Sequence, residues 1–202
     1  MRRIRRETRI SDVFGNLRVH EIVFIGKNQM NDPFSSFPDR GPIPEEFHQE
    51  CGDGPFIDCQ ICSEPLADQS SYSLIREVQG SRCIFELALC TPCAMELADQ
   101  LSEVSAERVE EWRSRRARID FTRVTCSHCG TPKDELTRFS SQLLCRGGSF
   151  LSDPEILCVT CENEVQELLS SETREEYENW FRENVPGLPS ADIEWETLIS
   201  KL

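Results

Sequence analysis

The sequence has no run of about 18 apolar residues, so it predicts no helix that spans a membrane. The basic residues at its start are not followed by an apolar stretch, and this pattern is unlike that of a secretory signal. We therefore expect a cytoplasmic protein, in a compartment that keeps thiols reduced. In such a compartment the 11 cysteines indicate metal binding rather than disulfide bonds.

Signatures of common enzymes are also missing. The chain has no Gly-x-Ser-x-Gly, no Gly-rich phosphate-binding loop and no His-Glu-x-x-His. Histidine is scarce, and none lies between Cys62 and Cys90 or between Cys129 and Cys158. A nuclease of the His-metal type would carry its catalytic histidine there. The sequence therefore predicts a protein that is not an enzyme, with no catalytic residues.

Basic residues are few and unevenly placed. The net charge is −14, yet residues 1–10 hold five Arg against one Glu. Residues 121–202 hold fifteen Asp and Glu against seven Lys and Arg. Four thiolates and one Zn²⁺ leave −2 per site, so two such sites would bring the formal charge from −14 to about −18. Proteins that bind nucleic acid neutralise phosphates with clustered Lys and Arg, and the acidic body is the opposite of that pattern.

The chain contains an internal repeat. A Cys-x-x-Cys pair is followed after 27 residues by a second pair, and this arrangement recurs with a spacing of 28 residues. The segment 89–112 aligns without a gap with 157–180, so that Ser102 matches Ser170 and Trp112 matches Trp180. Each unit of about 55 residues is small enough to need a metal or a disulfide for stability.

Each repeat has the same predicted order of elements. The first cysteine pair sits in a polar turn, which we name the knuckle. A hairpin follows, with QGS or RGGS at its turn, and the second cysteine pair then opens a helix. A second helix comes next, for which Ser105 and Thr173 are the N-cap candidates, and Thr173 with Glu176 has the spacing of a capping box.

Two Cys-x-x-Cys pairs brought together by a hairpin suit Zn²⁺, which prefers four soft ligands in a tetrahedron. A complete Cys₄ set has no open position, so such a site is structural. The sequence predicts two zinc ions per chain, with iron as the main rival. The predicted ligands, in two groups of four, are Cys59, Cys62, Cys90 and Cys93, then Cys126, Cys129, Cys158 and Cys161.

This order of knuckle, hairpin and helix, with the last two ligands at the start of the helix, resembles the treble-clef group of zinc folds. The resemblance covers residues 58 to about 181 and identifies a fold group rather than a family. It implies an α+β protein made of two tandem zinc-stapled modules, each with a knuckle, a β-hairpin, a helix and a second helix. Because treble clefs occur in nucleases, ribosomal proteins, ubiquitin ligases and adaptors, the fold alone implies no function.

The remaining thiols and histidines receive structural interpretations. Cys83 and Cys145 are expected to be small buried residues in the hairpins, and Cys51 has no counterpart in the repeat. His128 lies between two ligands and could compete with them, but the complete Cys₄ set favours an exposed side chain instead.

We divide the chain into four parts. Residues 1–57 form a basic arm, a strand at 17–25 and a Pro/Gly-rich linker with Phe34, Phe37 and Phe47 as possible anchors. Residues 58–120 and 121–185 form the two zinc modules, and 186–202 form an amphipathic segment. Because each module has its own metal, Cys90→Ser is expected to unfold the first module and leave the second largely intact.

Three functions remain open at this point, of which an enzyme, such as a ligase-type scaffold or a redox switch, is disfavoured by the missing catalytic signatures. The first is a non-catalytic interaction or adaptor protein with an unidentified protein partner and no membrane contact. The alternative is a zinc-finger protein that binds nucleic acid through its Arg-rich arm and the patch at 113–118, which holds Arg113, Arg115, Arg116 and Arg118. The acidic body makes nucleic acid the less favoured partner.

Overall fold

The computed structural model describes residues 34, 37–50, 52, 54–115 and 124–184. Several predicted features lie outside these residues: the basic arm, the strand at 17–25, the C-terminal segment 186–202, Cys51, Arg116 and Arg118. Within them the protein is mixed α/β, with six strands and four helices. The strands are β1 (Gly41–Pro42), β2 (Tyr72–Gln79), β3 (Arg82–Cys90), β4 (Arg138–Arg146), β5 (Ser149–Phe150) and β6 (Glu155–Cys158). The helices are α1 (Thr91–Ala98), α2 (Glu103–Ser114), α3 (Val159–Leu168) and α4 (Ser171–Asn184).

Both predicted hairpins are present. β2 pairs antiparallel with β3, and β4 pairs antiparallel with β5 and β6. The turns place Gly80 at φ 60° and Gly147 at φ 53°, a left-handed conformation that glycine adopts without steric cost. The second hairpin has an interrupted return strand, because residues 151–154 separate β5 from β6 and Pro154 has no N–H to donate.

The two hairpins join into one antiparallel sheet. β2 pairs with β4 along its whole length, from Tyr72 opposite Cys145 to Gln79 opposite Arg138. Ile75 lies opposite Gln142, and each of these residues is 16 positions after the first cysteine of its repeat. Equivalent residues therefore meet at the centre of the pair, so an approximate twofold axis relates the two repeats.

The first turns of the second helices meet at the same axis. The Ser102 hydroxyl lies 3.0 Å from that of Ser170, and the Ser105 hydroxyl lies 2.9 Å from that of Thr173. The Ser170 N–H donates to Ser105 Oγ at 2.8 Å, and the Ser102 N–H donates to Thr173 Oγ1 at 3.0 Å. We name these four residues the hydroxyl cluster; it joins each repeat to the other through equivalent groups.

The N-caps of the second helices are not the residues that the sequence predicts. Ser102 caps α2, because its Oγ accepts the Ser105 N–H at 3.3 Å. Ser170 Oγ accepts the Thr173 N–H at 3.2 Å in the same way. The predicted caps, Ser105 and Thr173, lie three residues further on, and their hydroxyls are buried in the hydroxyl cluster.

One apolar cluster draws on both repeats. It joins Leu74, Leu87 and Leu97 of the first repeat to Leu143 and Phe181 of the second. The segment before the first knuckle contributes Phe47 to this cluster, and Phe34 is buried as well, whereas Phe37 is 40% exposed. The predicted linker is therefore partly built into the core, and its β1 pairs with β5.

The helices are too short for a lipid bilayer. The longest in the described part, α4, has 14 residues, and no described helix combines the length and hydropathy that crossing a membrane requires.

Candidate metal centres

The first centre is built from a knuckle and the start of a helix. The Cys59 N–H donates to the Glu64 carbonyl at 2.9 Å, and the Ser63 N–H donates to the Cys59 carbonyl at 2.9 Å. These bonds fold the turn so that Cys59 and Cys62 lie on the same side. Cys90 ends β3 and is the N-cap of α1, which places Cys93 in the first turn of that helix.

The second centre repeats this construction. The Cys126 N–H donates to the Thr131 carbonyl at 2.8 Å, and the Gly130 N–H donates to the Cys126 carbonyl at 2.9 Å. Cys158 ends β6 and is the N-cap of α3, with Cys161 in the first turn. Helix starts favour thiolates because of their unpaired N–H groups and the positive end of the helix dipole.

The sulfur positions fit a tetrahedral metal ion. In each centre the four Sγ atoms lie within 4.8 Å of one another. Cys62 Sγ lies 3.7 Å from Cys90 Sγ, and Cys129 Sγ lies 3.7 Å from Cys158 Sγ. A Zn–S distance of about 2.3 Å gives a tetrahedron edge of about 3.8 Å, whereas a disulfide would need about 2.05 Å. Both centres could therefore hold a metal ion, and zinc fits them.

The predicted ligands are grouped within their own repeats. Cys59, Cys62, Cys90 and Cys93 form one group, and Cys126, Cys129, Cys158 and Cys161 form the other. The structure brings no thiol of the first repeat into the second group. An interleaved arrangement, with Cys59 and Cys126 sharing one metal, therefore does not occur.

Four thiolates close together are electrostatically costly without a cation. The hydrogen bond from Cys90 lowers the pKa of Cys59 to about 4. In return, the pKa of Cys90 is raised far above its ordinary value by that same bond and by burial. Burial raises the pKa of Cys93 to about 12 and that of Cys158 to about 11. Because the thiols cannot all ionise together, a bound dication is needed to hold four thiolates.

Each centre also has backbone support for one sulfur. The Cys90 N–H points at Cys59 Sγ from 3.4 Å, and the Cys158 N–H points at Cys126 Sγ from 3.4 Å. Three ligands of each centre are buried, while Cys62 and Cys129 are exposed. Solvent therefore reaches each site from the side of its exposed knuckle cysteine.

The second helix of the first repeat reaches the second centre. Trp112 of α2 stacks on His128, with ring centroids 3.6 Å apart and an angle of 8° between the rings. Its Nε1–H donates to Glu164 Oε2 of α3 at 2.9 Å. Trp112 also packs against the small apolar cluster formed by Cys126, Leu157, Cys158 and Cys161.

This contact corrects the prediction for His128. The side chain is only 13% exposed rather than solvated, because the Trp112 ring covers it, and its Nε2 lies 3.9 Å from Glu164 Oε2. It belongs to neither group of candidate ligands. A single sequence carries no signal for this stack, since Trp112 and His128 come from different repeats.

The second tryptophan, Trp180 of the second repeat, belongs to a cluster that contains cysteines of the first repeat. Trp180 of α4 is buried in the large cluster that contains Cys59, Cys90 and Cys93 of the first repeat. Ile61, which holds the position of His128 in the first knuckle, packs against the same cluster. The tryptophans that the repeat aligns therefore each pack in or against an apolar cluster that contains candidate ligands of the other repeat.

The other candidate residues do not form a further site in the described part. Cys83 and Cys145 are buried, and desolvation raises the pKa of Cys145 to about 12. His48 Nε2 lies 3.3 Å from the Ile43 carbonyl, while His20 lies outside the described residues. Arg115 of the predicted basic patch pairs with Glu111.

Comparisons with protein-family models, with curated proteins and with solved structures each find no match for this chain. What the chain does must therefore be argued from its two centres and their surroundings.

Proposed function

We propose that the chain is a non-catalytic zinc protein that acts as an interaction or adaptor module in a thiol-reducing compartment such as the cytoplasm. The observation that carries the proposal is the convergence of four thiols at each centre. Four sulfur ligands fill the tetrahedral shell of Zn²⁺ and leave no position for a substrate or an activated water. The two ions are therefore structural.

The order of elements supports a treble-clef-like form for each module. In both repeats a knuckle is followed by an antiparallel hairpin, and the hairpin is followed by a helix whose N-cap is the third cysteine. We propose residues 58–120 and 121–185 as the two zinc modules. Structural zinc contributes about 10–16 kcal/mol of apparent binding free energy in small modules, enough to decide whether they fold.

A cavity of about 900 Å³ lies beside the sheet, and the pairing of its charged groups supports a non-catalytic role. Arg76 in its lining pairs with Glu50 at 2.9 Å, and Lys133 pairs with Glu46 at 3.4 Å. The Cys83 thiol lies 3.3 Å from Arg76 Nε, yet burial raises its pKa rather than lowering it. An activated thiol needs the opposite shift.

Charge and surface composition favour a protein partner over nucleic acid. Arg115, in the described part of the basic patch, is paired with Glu111, and the net charge of −14 repels phosphates. Two exposed aliphatic residues hold equivalent positions just before the knuckles: Ile57 is 71% exposed and Val124 is 59% exposed. We propose that these two residues contribute to the contact with a protein.

Metal analysis of the purified full-length chain tests the structural part of the proposal. We expect two zinc ions per chain by mass spectrometry of the native protein and by elemental analysis. One metal per chain, none, or stoichiometric iron would contradict it.

The interaction role is tested by capturing partners on the zinc-loaded chain and on the double variant Ile57→Asp, Val124→Asp. We expect the variant to keep two zinc ions and to lose the captured protein. A salt titration with RNA and DNA separates the alternative, because phosphate contacts give an affinity that falls steeply with salt. Strong salt-dependent binding would favour the nucleic-acid function instead.

A further inference from the structure

The two centres differ in the size of the buried apolar cluster that contains their cysteines. Resting on the proposed zinc binding, we propose that α2 of the first repeat holds the second centre closed through Trp112. We propose further that the second centre therefore releases its zinc before the first. Trp112 lies on the knuckle residue His128, which directly precedes the exposed ligand Cys129 in the chain.

The cover is fixed by two independent contacts. The stacked ring lies over the knuckle, and the Nε1–H bond to Glu164 ties the same side chain to α3, the helix that carries Cys161. One residue thus contacts both halves of the ligand set, the knuckle and the helix start. When Trp112 moves away, the knuckle can separate from the helix and a competing ligand can reach the metal.

The first centre lies in a larger buried cluster, which contains Cys59, Cys90 and Cys93 together with Trp180. Trp180 is only 8% exposed, lies edge-on to Phe181 with ring centroids 5.1 Å apart, and belongs to the large core cluster. Trp112 is half-buried, and the cluster around the second centre has only four buried members, three of them ligands. Opening the second centre therefore disrupts fewer buried contacts.

The test is zinc release from the full-length, two-zinc protein into an excess of a chromogenic chelator. We expect two phases of equal amplitude. Cadmium-113 NMR of the cadmium-loaded protein at partial release then assigns each phase to a centre, because the two centres give separate resonances. Trp112→Ala should speed the fast phase at least about tenfold, because it removes a stacked ring and a hydrogen bond to a carboxylate, and it should leave the slow phase within about twofold.

Matched variants keep the result decisive. Trp112→Phe retains a ring without the N–H, so it should speed the fast phase less than Trp112→Ala. If Trp112→Ala does not fold, the release rate of Trp112→Phe tests the inference instead. Trp180→Phe should act on the slow phase. Unchanged rates in both Trp112 variants, equal acceleration of both phases, or a fast phase from the first centre would overturn the inference. A wild-type protein with fewer than two zinc ions would overturn the proposed function itself.

Discussion

At the scale of single residues, the two knuckles solve the same backbone problem with different amino acids. The fourth position after the first cysteine has a positive φ in both, 63° at Ser63 and 77° at Gly130. This left-handed conformation costs a residue with a Cβ about 1–2 kcal/mol and costs glycine nothing. The first knuckle therefore contains strain that the second avoids.

We expect Ser63→Gly to raise the free energy of unfolding by about 0.5–1 kcal/mol, because the relief of strain exceeds the entropy that glycine adds to the unfolded chain. Gly130→Ser is the matched change and should lower it by about 1 kcal/mol. Urea denaturation of the zinc-loaded protein measures both. Shifts of the same sign in the two variants would show that φ does not govern these positions.

At the scale of elements, the second helices depend on hydroxyl groups that serve the other repeat. Ser105 Oγ accepts the Ser170 N–H and contacts the Thr173 hydroxyl, and the residue is fully buried. Its removal would leave the Ser170 N–H without this acceptor at the point where α4 begins. The N-terminal turns of α2 and α4 are therefore one structural unit.

Ser105→Ala should lower the free energy of unfolding by about 1–3 kcal/mol, the cost of leaving a buried donor unsatisfied. Ser114→Ala is the control, because its hydroxyl bonds the Glu111 carbonyl on the exposed surface of the same helix. There we expect a change within about 0.5 kcal/mol. If both variants lose the same stability, the cluster does not join the helices.

The elements that the sequence predicts are those with a local signal. Turn glycines predict the hairpins, and the Cys-x-x-Cys pairs predict the thiols that the structure brings together. Local patterns could not predict that β2 pairs with β4, because the sequences of the two strands are equally compatible with two separate hairpins. The same limit applies to Trp112, because its match with Trp180 in the repeat does not show which repeat each residue contacts.

The N-cap error has a similar physical origin. Ser102, Ser105, Ser170 and Thr173 are all good cap residues. The choice between them depends on where the chain turns after α1 and α3, and the contact at the twofold axis sets that turn. Packing between repeats thus determines a local feature that a single repeat leaves open.

At the scale of the whole molecule, the repeats share a sheet, a core and a pair of helix starts. β3 ends at Cys90, pairs with β2 from Tyr72 to Gln79, and β2 in turn pairs with β4 of the second repeat. α4, from the second repeat, contributes Trp180 to the apolar cluster that contains Cys59, Cys90 and Cys93. We therefore expect damage at one centre to reach the other, whereas the repeat pattern alone predicted modules that unfold independently.

We expect Cys90→Ser to weaken both centres. Loss of this ligand removes the first metal, releases the end of β3 and the start of α1, and leaves β2 and α4 without part of their packing. The affinity of the second centre for zinc should then fall at least about tenfold, which corresponds to about 1.4 kcal/mol of coupling. Circular dichroism should show more helix lost than the share of one repeat.

Cys158→Ser, the equivalent change in the second repeat, should weaken the first centre. Cys83→Ala changes a buried thiol outside both ligand groups, so this variant should keep two zinc ions. Hydrogen exchange that leaves β4 and α3 of Cys90→Ser protected as in the wild type, with one zinc bound at undiminished affinity, would instead establish two independent modules.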